Sequence, residues 1–426
     1  MLLAAQEPGR WFSDRAAPPE GDCQVTIFSQ YSGYGTDGFG LLRALHRWGC
    51  EVYPQPVWVD VPIPGDLLHL FGRTLAAPFD LLINHWDPGH LFITREARLA
   101  TRVAVAWTMW EFAGGPGKDG QGVSGLVPHC KGRTLLPRNL RWFDMLLGYD
   151  EVSLAALEPY TPRKVRRGVL QGGYDSSDWR PLSRDWDSPR FGFLMHGALN
   201  KRKAPWTAVQ AFTALKFERP GPWPEGFDDA SLALHTVAPG DLFPELNEPF
   251  EAQRIKVFVD VFDHRTLEEF YKAGHCLLAP SLGEGKNLPA LEFMTTGGAV
   301  AATAFGGHMQ WMNADYAYPL EYELTPTFEQ CPWGAHSARV PIEHLKDVIW
   351  HIYAHRDEAR RKGALAVDVI PKMCDWQVVL EALFRRIRDE VKGPGPAIYD
   401  LAMGCRQEDG DLSLGALMAP AGWRRA

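Results

Sequence analysis

The stretch that most limits what this chain can fold into runs from Cys276 to Ala302. Cys276-Leu277-Leu278 is a short apolar run of the kind that makes a fully buried strand. A loop with two glycines follows, Ala279-Pro280-Ser281-Leu282-Gly283-Glu284-Gly285-Lys286. The spacing then predicts a helix with Asn287 at its N-cap and Pro289 in the first turn, where a missing N–H costs nothing. Gly297-Gly298 ends it. Ala299-Val300-Ala301-Ala302 is a second buried strand, and the three pieces make a βαβ unit.

In such a unit the loop at the carboxyl end of the strand and the head of the helix face a ligand crevice. Free N–H groups and the helix dipole favour an anion there, a diphosphate for example. Glu284 lies on the loop before the cap and Glu292 about a turn into the helix, so they are not an i,i+4 surface pair. Two acids beside a phosphate would repel it unless they accept hydrogen bonds from hydroxyls on either side. A nucleotide sugar offers that pattern: ribose hydroxyls, diphosphate, sugar hydroxyls. Taken without its setting, the same spacing is also that of a solvated helix start.

The two glutamates, with seven residues between them in the setting Pro-Ser-x-x-Glu-Gly…Leu-Pro-Ala-Leu-Glu, resemble the signature of retaining GT-B glycosyltransferases, in particular glycosyltransferase family 4. The resemblance implies that Glu284 contacts the donor sugar and Glu292 the ribose. It also implies that the N–H groups around Lys286, Asn287 and Leu288 hold the diphosphate. The family has aromatic-Gly where this chain has Lys286-Asn287, a departure in the loop. A second family pattern, Gly-Arg-Leu-x-x-x-Lys-Gly, is met at Gly197, Leu199 and Lys203, after an apolar run at Phe191-Gly192-Phe193-Leu194-Met195-His196. Its arginine place holds Ala198. Arg202 is the favoured substitute, since a planar guanidinium grips phosphate well; Lys201 is the other. Arg202 and Lys203 would then stabilise the departing nucleotide. Val257-Phe258 falls where relatives hold the base through backbone contacts. Gly306-Gly307-His308 opens a further helix that either touches the donor side or only packs.

A chain of 426 residues is long enough for two domains. Net charge of −8 leaves no broad electrostatic footprint for nucleic acid. No apolar run approaches a membrane span, and the first residues lack a basic region followed by a long apolar core, so a cytoplasmic location is expected. The seven cysteines form no Cys-x-x-Cys pair, which argues against disulfides or zinc and for a reducing compartment. Sixteen tryptophans offer planes for sugars, though most should be core or domain-interface residues.

Residues 1–21 read as a flexible lead-in. Val25 to Ser29 is the first strand, running into Gly33-Tyr34-Gly35-Thr36-Asp37-Gly38, where Thr36 and Asp37 read as helix-start residues, and a helix through Phe39, Leu41, Leu42 and Leu45. Strand, glycine-rich loop and helix resemble the opening of a Rossmann-like domain, and Gly33 and Gly35 are assigned to the donor side of the cleft. Strands at 51–53, 81–83, 103–106 and 143–147 alternate with helical stretches, as in a parallel sheet. Two of them end in Asn84-His85-Trp86 and Thr108-Met109-Trp110-Glu111, at the carboxyl ends where such sheets bind ligands. His85 and Glu111 are therefore acceptor-side candidates, each equally readable as a satisfied histidine or a loop carboxylate. The glycine-rich residues 113–135 read as a lid or a disordered loop.

The expected fold is α/β, of the GT-B kind: two Rossmann-like domains facing each other across a cleft, with a C-terminal helix crossing back. The acceptor domain spans 22–185, the donor domain 186–375, the closing helix 376–392 and a Pro/Gly-rich tail 393–426. The expected function is transfer of a sugar from a nucleotide-diphosphate sugar to a hydroxyl acceptor, with retention and without a metal or cofactor. The acceptor is a small molecule, glycan, protein or modified nucleic acid. Alternatives are a nucleotide-sugar epimerase on the same fold and a non-catalytic nucleotide- or sugar-binding module.

Overall fold

The computed structural model describes residues 24–28, 32–54, 63–71, 79–85, 88, 91, 93, 95–111, 136–217, 227–236, 254–326 and 335–405. The expectations for residues 1–21, the loop 113–135, Trp86 and residues 406–426 lie outside them. The chain divides into two compact units. The first comprises residues 1–110, 114–175 and 372–426, the second 111–113 and 176–371.

The first unit is built on a six-stranded parallel sheet in the order β2-β1-β3-β4-β5-β6. Its strands are β1 (Gln24–Phe28), β2 (Glu51–Pro54), β3 (Phe79–His85), β4 (Thr101–Thr108), β5 (Met145–Gly148) and β6 (Arg166–Val169). All of β3 and all of β4 except Arg102 are buried, as strands covered on both faces must be. The order reverses between β1 and β3, the place where open α/β sheets take ligands. Helix α1 (Ser32–Arg47) leaves β1 there. It therefore begins about four residues before Thr36, the expected start, with Gly33 and Gly35 in its first turn instead of an open loop. Glycine costs about 1 kcal/mol in a helix, and burial of Leu41, Leu42 and Leu45 on the same helix outweighs that. Helix α2 (Glu151–Leu157) is capped by Asp150, which accepts from Ser153 N at 2.8 Å.

The second sheet is also six-stranded and parallel, in the order β12-β11-β10-β7-β8-β9. Its strands are β7 (Gly192–His196), β8 (Ser231–Thr236), β9 (Ile255–Val259), β10 (Cys276–Ala279), β11 (Ala299–Thr303) and β12 (Tyr318–Leu320). Helices α3 (Pro205–Phe217), α4 (His264–Ala273), α5 (Leu288–Thr295) and α6 (Ile342–Ala354) belong to this unit. Here the order reverses between β7 and β10. Every residue of β10 and β11 is buried, as their unbroken apolar runs require.

Helix α7 (Arg356–Cys374) carries the chain back, so that α8 (Trp376–Glu390) and α9 (Gly395–Cys405) complete the first unit. Trp376, Leu380, Leu383 and Phe384 join Leu41, Leu45 and Trp48 in its core. Residues 395–405 are helical, where a draped tail was expected. Ile398 and Ala402, one turn apart, bury against the same core, and Arg388 lies 4.6 Å over the Tyr399 ring.

The change of unit falls after Asp175, not near residue 185. Asp175 is held by Arg47 at 2.9 Å in the first unit. Past it, Arg180 pairs with Glu268 at 2.9 Å, and Arg184 donates to Gly274 O at 2.7 Å and Thr296 Oγ1 at 2.6 Å. The Pro- and Asp-rich composition there marks a loop lying on the second unit, not a free linker. No helix among the described residues is long and apolar enough to cross a membrane.

Candidate functional site

The site gathers where the second sheet's order reverses, at the carboxyl ends of β7 and β10. Gly197 follows β7 with φ 127°, a conformation only glycine takes without strain. Asn200 then turns the chain. Its side chain accepts from Lys203 N at 3.3 Å, closing a single 3₁₀ turn, Lys201–Lys203. The turn aims two of its three cations at one carboxylate. Arg202 Nη1 lies 3.1 Å from Glu284 Oε2, and Lys203 Nζ contacts Glu284 Oε1 directly. Ser281 Oγ donates to Glu284 Oε1 at 3.0 Å.

Glu284 is 4% exposed. Burial works against its ionisation, but Lys203 and Arg202 outweigh burial and hold the carboxyl well below the usual carboxylate range. Arg202 also donates to Gly283 O at 2.7 Å, and its Nε lies 3.0 Å from Glu111 Oε2. Glu111 clusters with the second unit. A Cβ on Gly283 would stand 1.8 Å from Glu111 O, so the loop must have glycine there. Glu111, assigned by sequence to the acceptor side, is thus a partner of the guanidinium.

The helix head is shaped by the next loop along. Asn287 precedes α5 in the left-handed conformation, φ 65°, and makes no side-chain cap. That corrects the expected capping bond. Its amide instead donates to His308 Nε2 at 2.9 Å, while His308 Nδ1 donates to Thr303 O at 2.8 Å. Those two bonds fix the neutral tautomer with the proton on Nδ1. Burial pushes the ring's pKa down to about 4. Gly307 N donates to Glu284 O at 2.8 Å, and Trp311 Nε1 to Lys286 O at 2.8 Å. Lys286 itself is buried. Gly306-Gly307-His308 therefore supports the 284–287 loop.

Glu292, one turn into α5, is partly buried, and Tyr271 on α4 donates to its Oε2 at 2.9 Å. Desolvation raises its pKa to about 7, against the lowering effect of the Tyr271 bond and of Lys286. Tyr271 carried no motif, because its partner lies on another helix. Beside Gly197, His196 and His235 stack with centroids 4.8 Å apart, and their Nδ1 atoms are 2.7 Å apart. His235 Nε2 faces Asp260 O at 3.0 Å and must donate to it, so in the neutral pair His196 donates across the Nδ1 contact. Burial pushes His196 down to about 3.

Of the sequence-assigned residues, Arg202, Lys203, Glu284, Glu111, Lys286 and Asn287 come together. Gly197, Leu288 and Glu292 border them. Gly33, Gly35 and His85 belong to the first unit. There His85 is fully buried, with Nε2 meeting the Tyr149 hydroxyl, which donates to Asp37. Among the described residues no group of three or more His, Cys, Asp or Glu is placed to hold a metal ion.

No family model and no curated protein matches the sequence. Solved structures do match its fold. Sucrose-phosphate synthase from Thermosynechococcus elongatus aligns at 13% identity over 85% of this chain and 98% of its own, with a TM-score of 0.56. OtsA in its apo form aligns at 13% over 85% and 98%, with a TM-score of 0.58. HepE of Anabaena in complex with UDP aligns at 13% over 85% and 98%, with a TM-score of 0.55. Two parallel sheets, the second carrying a glycine loop and helix head at its reversal point, and terminal helices returned to the first unit give this chain the GT-B fold that these structures share.

Proposed function

We propose that this chain is a retaining glycosyltransferase that moves a sugar from a nucleotide-diphosphate sugar to a hydroxyl acceptor. The observation that carries the reading is the convergence of Arg202 and Lys203 on Glu284 at the approach to α5, with Glu292 a turn beyond. When the bond from sugar to diphosphate breaks, its electron pair moves onto a phosphate oxygen. Two cations and the N–H groups at the head of α5 neutralise that charge, so the reading requires no divalent metal. Glu284 is a weak base, because both its oxygens already face cations. It suits gripping a donor-sugar hydroxyl better than attacking carbon. Glu292 accepts from ribose hydroxyls, with Tyr271 steadying its other side. Retention is taken from the resemblance of the two-glutamate motif.

HepE was solved with UDP, which makes UDP the first nucleotide to try. Calorimetric titration with UDP and GDP should show binding. Lys203→Ala and Glu292→Ala should each weaken it at least about tenfold, the loss expected for a charge-assisted contact. Unchanged affinity in both variants would reject the site. A screen of nucleotide sugars for nucleotide release, with mass spectrometry of the product, then identifies donor and acceptor. Turnover of the nucleotide sugar with no acceptor and no release would point to an epimerase instead.

A further inference from the structure

Arg184, on the loop that lies on the second unit, is a partly buried cation with no carboxylate partner among the described residues. Burial pulls its pKa from 12.5 down to about 10. Its five N–H bonds meet five acceptors, all of them neutral. Nε donates to Gly274 O at 2.7 Å. Nη1 donates to Leu182 O at 3.4 Å and to Thr296 O, and Nη2 to Tyr271 O at 3.2 Å and Thr296 Oγ1 at 2.6 Å.

Those acceptors lie at the ends of two helices. Tyr271 is in the last turn of α4 and Gly274 is its C-cap, while Thr296 is the C-cap of α5. Helix C-termini carry spare carbonyls and partial negative charge, which is what a cation without a counter-ion needs. The bonds also close a ring. Arg184 holds the Tyr271 carbonyl, and the Tyr271 hydroxyl donates to Glu292 Oε2 at 2.9 Å. Thr296 N donates to Glu292 O at 3.1 Å, and Thr296 leads back to Arg184. Glu292 is thus fastened by side chain and by main chain, and both fastenings end at one guanidinium. The loop that carries Arg184 is itself tied down: Leu182 N donates to Thr296 O at 3.0 Å, and His275 Nε2 to Asp185 O at 3.0 Å.

We propose that Arg184 is a positioning residue for Glu292: it locks α4 to α5 and so sets where the Glu292 carboxylate meets the donor. The inference rests on the ribose role given to Glu292 above, and it adds a residue that touches no substrate itself. Fastening a loop does not call for a cation. A guanidinium taken from water without a counter-ion is costly, and a well-packed apolar side chain would hold the loop at less cost. What the guanidinium alone supplies is a rigid planar fork that reaches two helices at once. A lysine ammonium has three donors at a single point and cannot span them.

The test is calorimetric titration of wild type, Arg184→Lys, Tyr271→Phe and the double variant with UDP, GDP and inorganic pyrophosphate. Each single variant should bind a nucleoside diphosphate about fivefold more weakly, the loss expected for one hydrogen bond. The double variant should also lose about fivefold, not the roughly twenty-five-fold of independent effects, because both substitutions open the same ring. Pyrophosphate has no ribose and should bind all four proteins alike. Thr296→Val removes one acceptor of the fork and keeps the side-chain shape, so it replaces Arg184→Lys in the cycle should that variant fail to fold. Unchanged nucleotide affinity, additive losses in the double variant, or equal weakening of pyrophosphate would overturn the inference while leaving the glycosyltransferase reading intact. A wild type that binds pyrophosphate but neither nucleotide would instead remove that reading, and this one with it.

Discussion

Glu284 and Glu292 share a motif but differ in the charges around them. Glu284 stays ionised only because Lys203 and Arg202 stand against it. Glu284→Gln would leave both cations partly buried without it, although Arg202 keeps Glu111. We expect a loss of about 3 kcal/mol at pH 7 in urea unfolding. Its folded pKa is depressed, so its contribution is present above the unfolded value of 4.5 and fades as pH falls through the folded value. The wild type's advantage over the variant should accordingly shrink in acid. Glu292 has the opposite sign. Its folded pKa is raised from 4.5 to about 7, so the favourable contribution is full below 4.5 and lost as pH rises through 7. That shift is on the order of 3 kcal/mol. Wild-type stability should fall across this window in paired urea titrations at pH 4.5 and 8, and Glu292→Gln should flatten the fall. An identical slope in the variant would contradict the assignment.

Helix α5 shows where local rules stop. Its span, its proline and its glycine stop were readable from spacing, because each acts within a turn or two. The conformation of Asn287 was not, since its amide chooses His308, a residue from another loop. The same loops approach so closely that a Cβ on Gly307 would stand 1.9 Å from Gly285 O. Gly307→Ala must push the 284–287 loop away from its support. We expect a loss of about 2 kcal/mol, seen as a fall of roughly 5 °C in melting temperature. Nucleotide affinity should drop with it, because Lys286 and Asn287 are displaced. Helix α1 taught a related lesson. Glycines at 33 and 35 suggested a loop, yet the apolar face beyond them is strong enough to carry the helix back to Ser32.

At the scale of the whole chain, sequence order and unit membership part company. The last described residues, including α8 and α9, complete the core of the first unit. Phe384 on α8 stacks on Trp48 with centroids 5.6 Å apart. Phe384→Ala should therefore cost about 3–5 kcal/mol in urea unfolding, the range for a fully buried aromatic. A loss near zero would mean that α8 is not part of that core. The closing helix was legible as an amphipathic stretch in a familiar place, but the continuation at 395–405 was not. Its Pro and Gly content resembles a tail, and only a waiting apolar surface makes it a helix.

The sequence alone determined the alternation of buried strands and helices, the two-glutamate loop and the basic turn after β7, because these depend on spacing, capping and apolar runs that act locally. Tertiary structure decided which charges meet. It put Glu111 on Arg202, Tyr271 on Glu292, His308 under Asn287 and Trp179 on Tyr271. Each of those pairings joins residues far apart in the chain, and an electrostatic or stacking partner is chosen by distance in space, which no spacing in a sequence encodes.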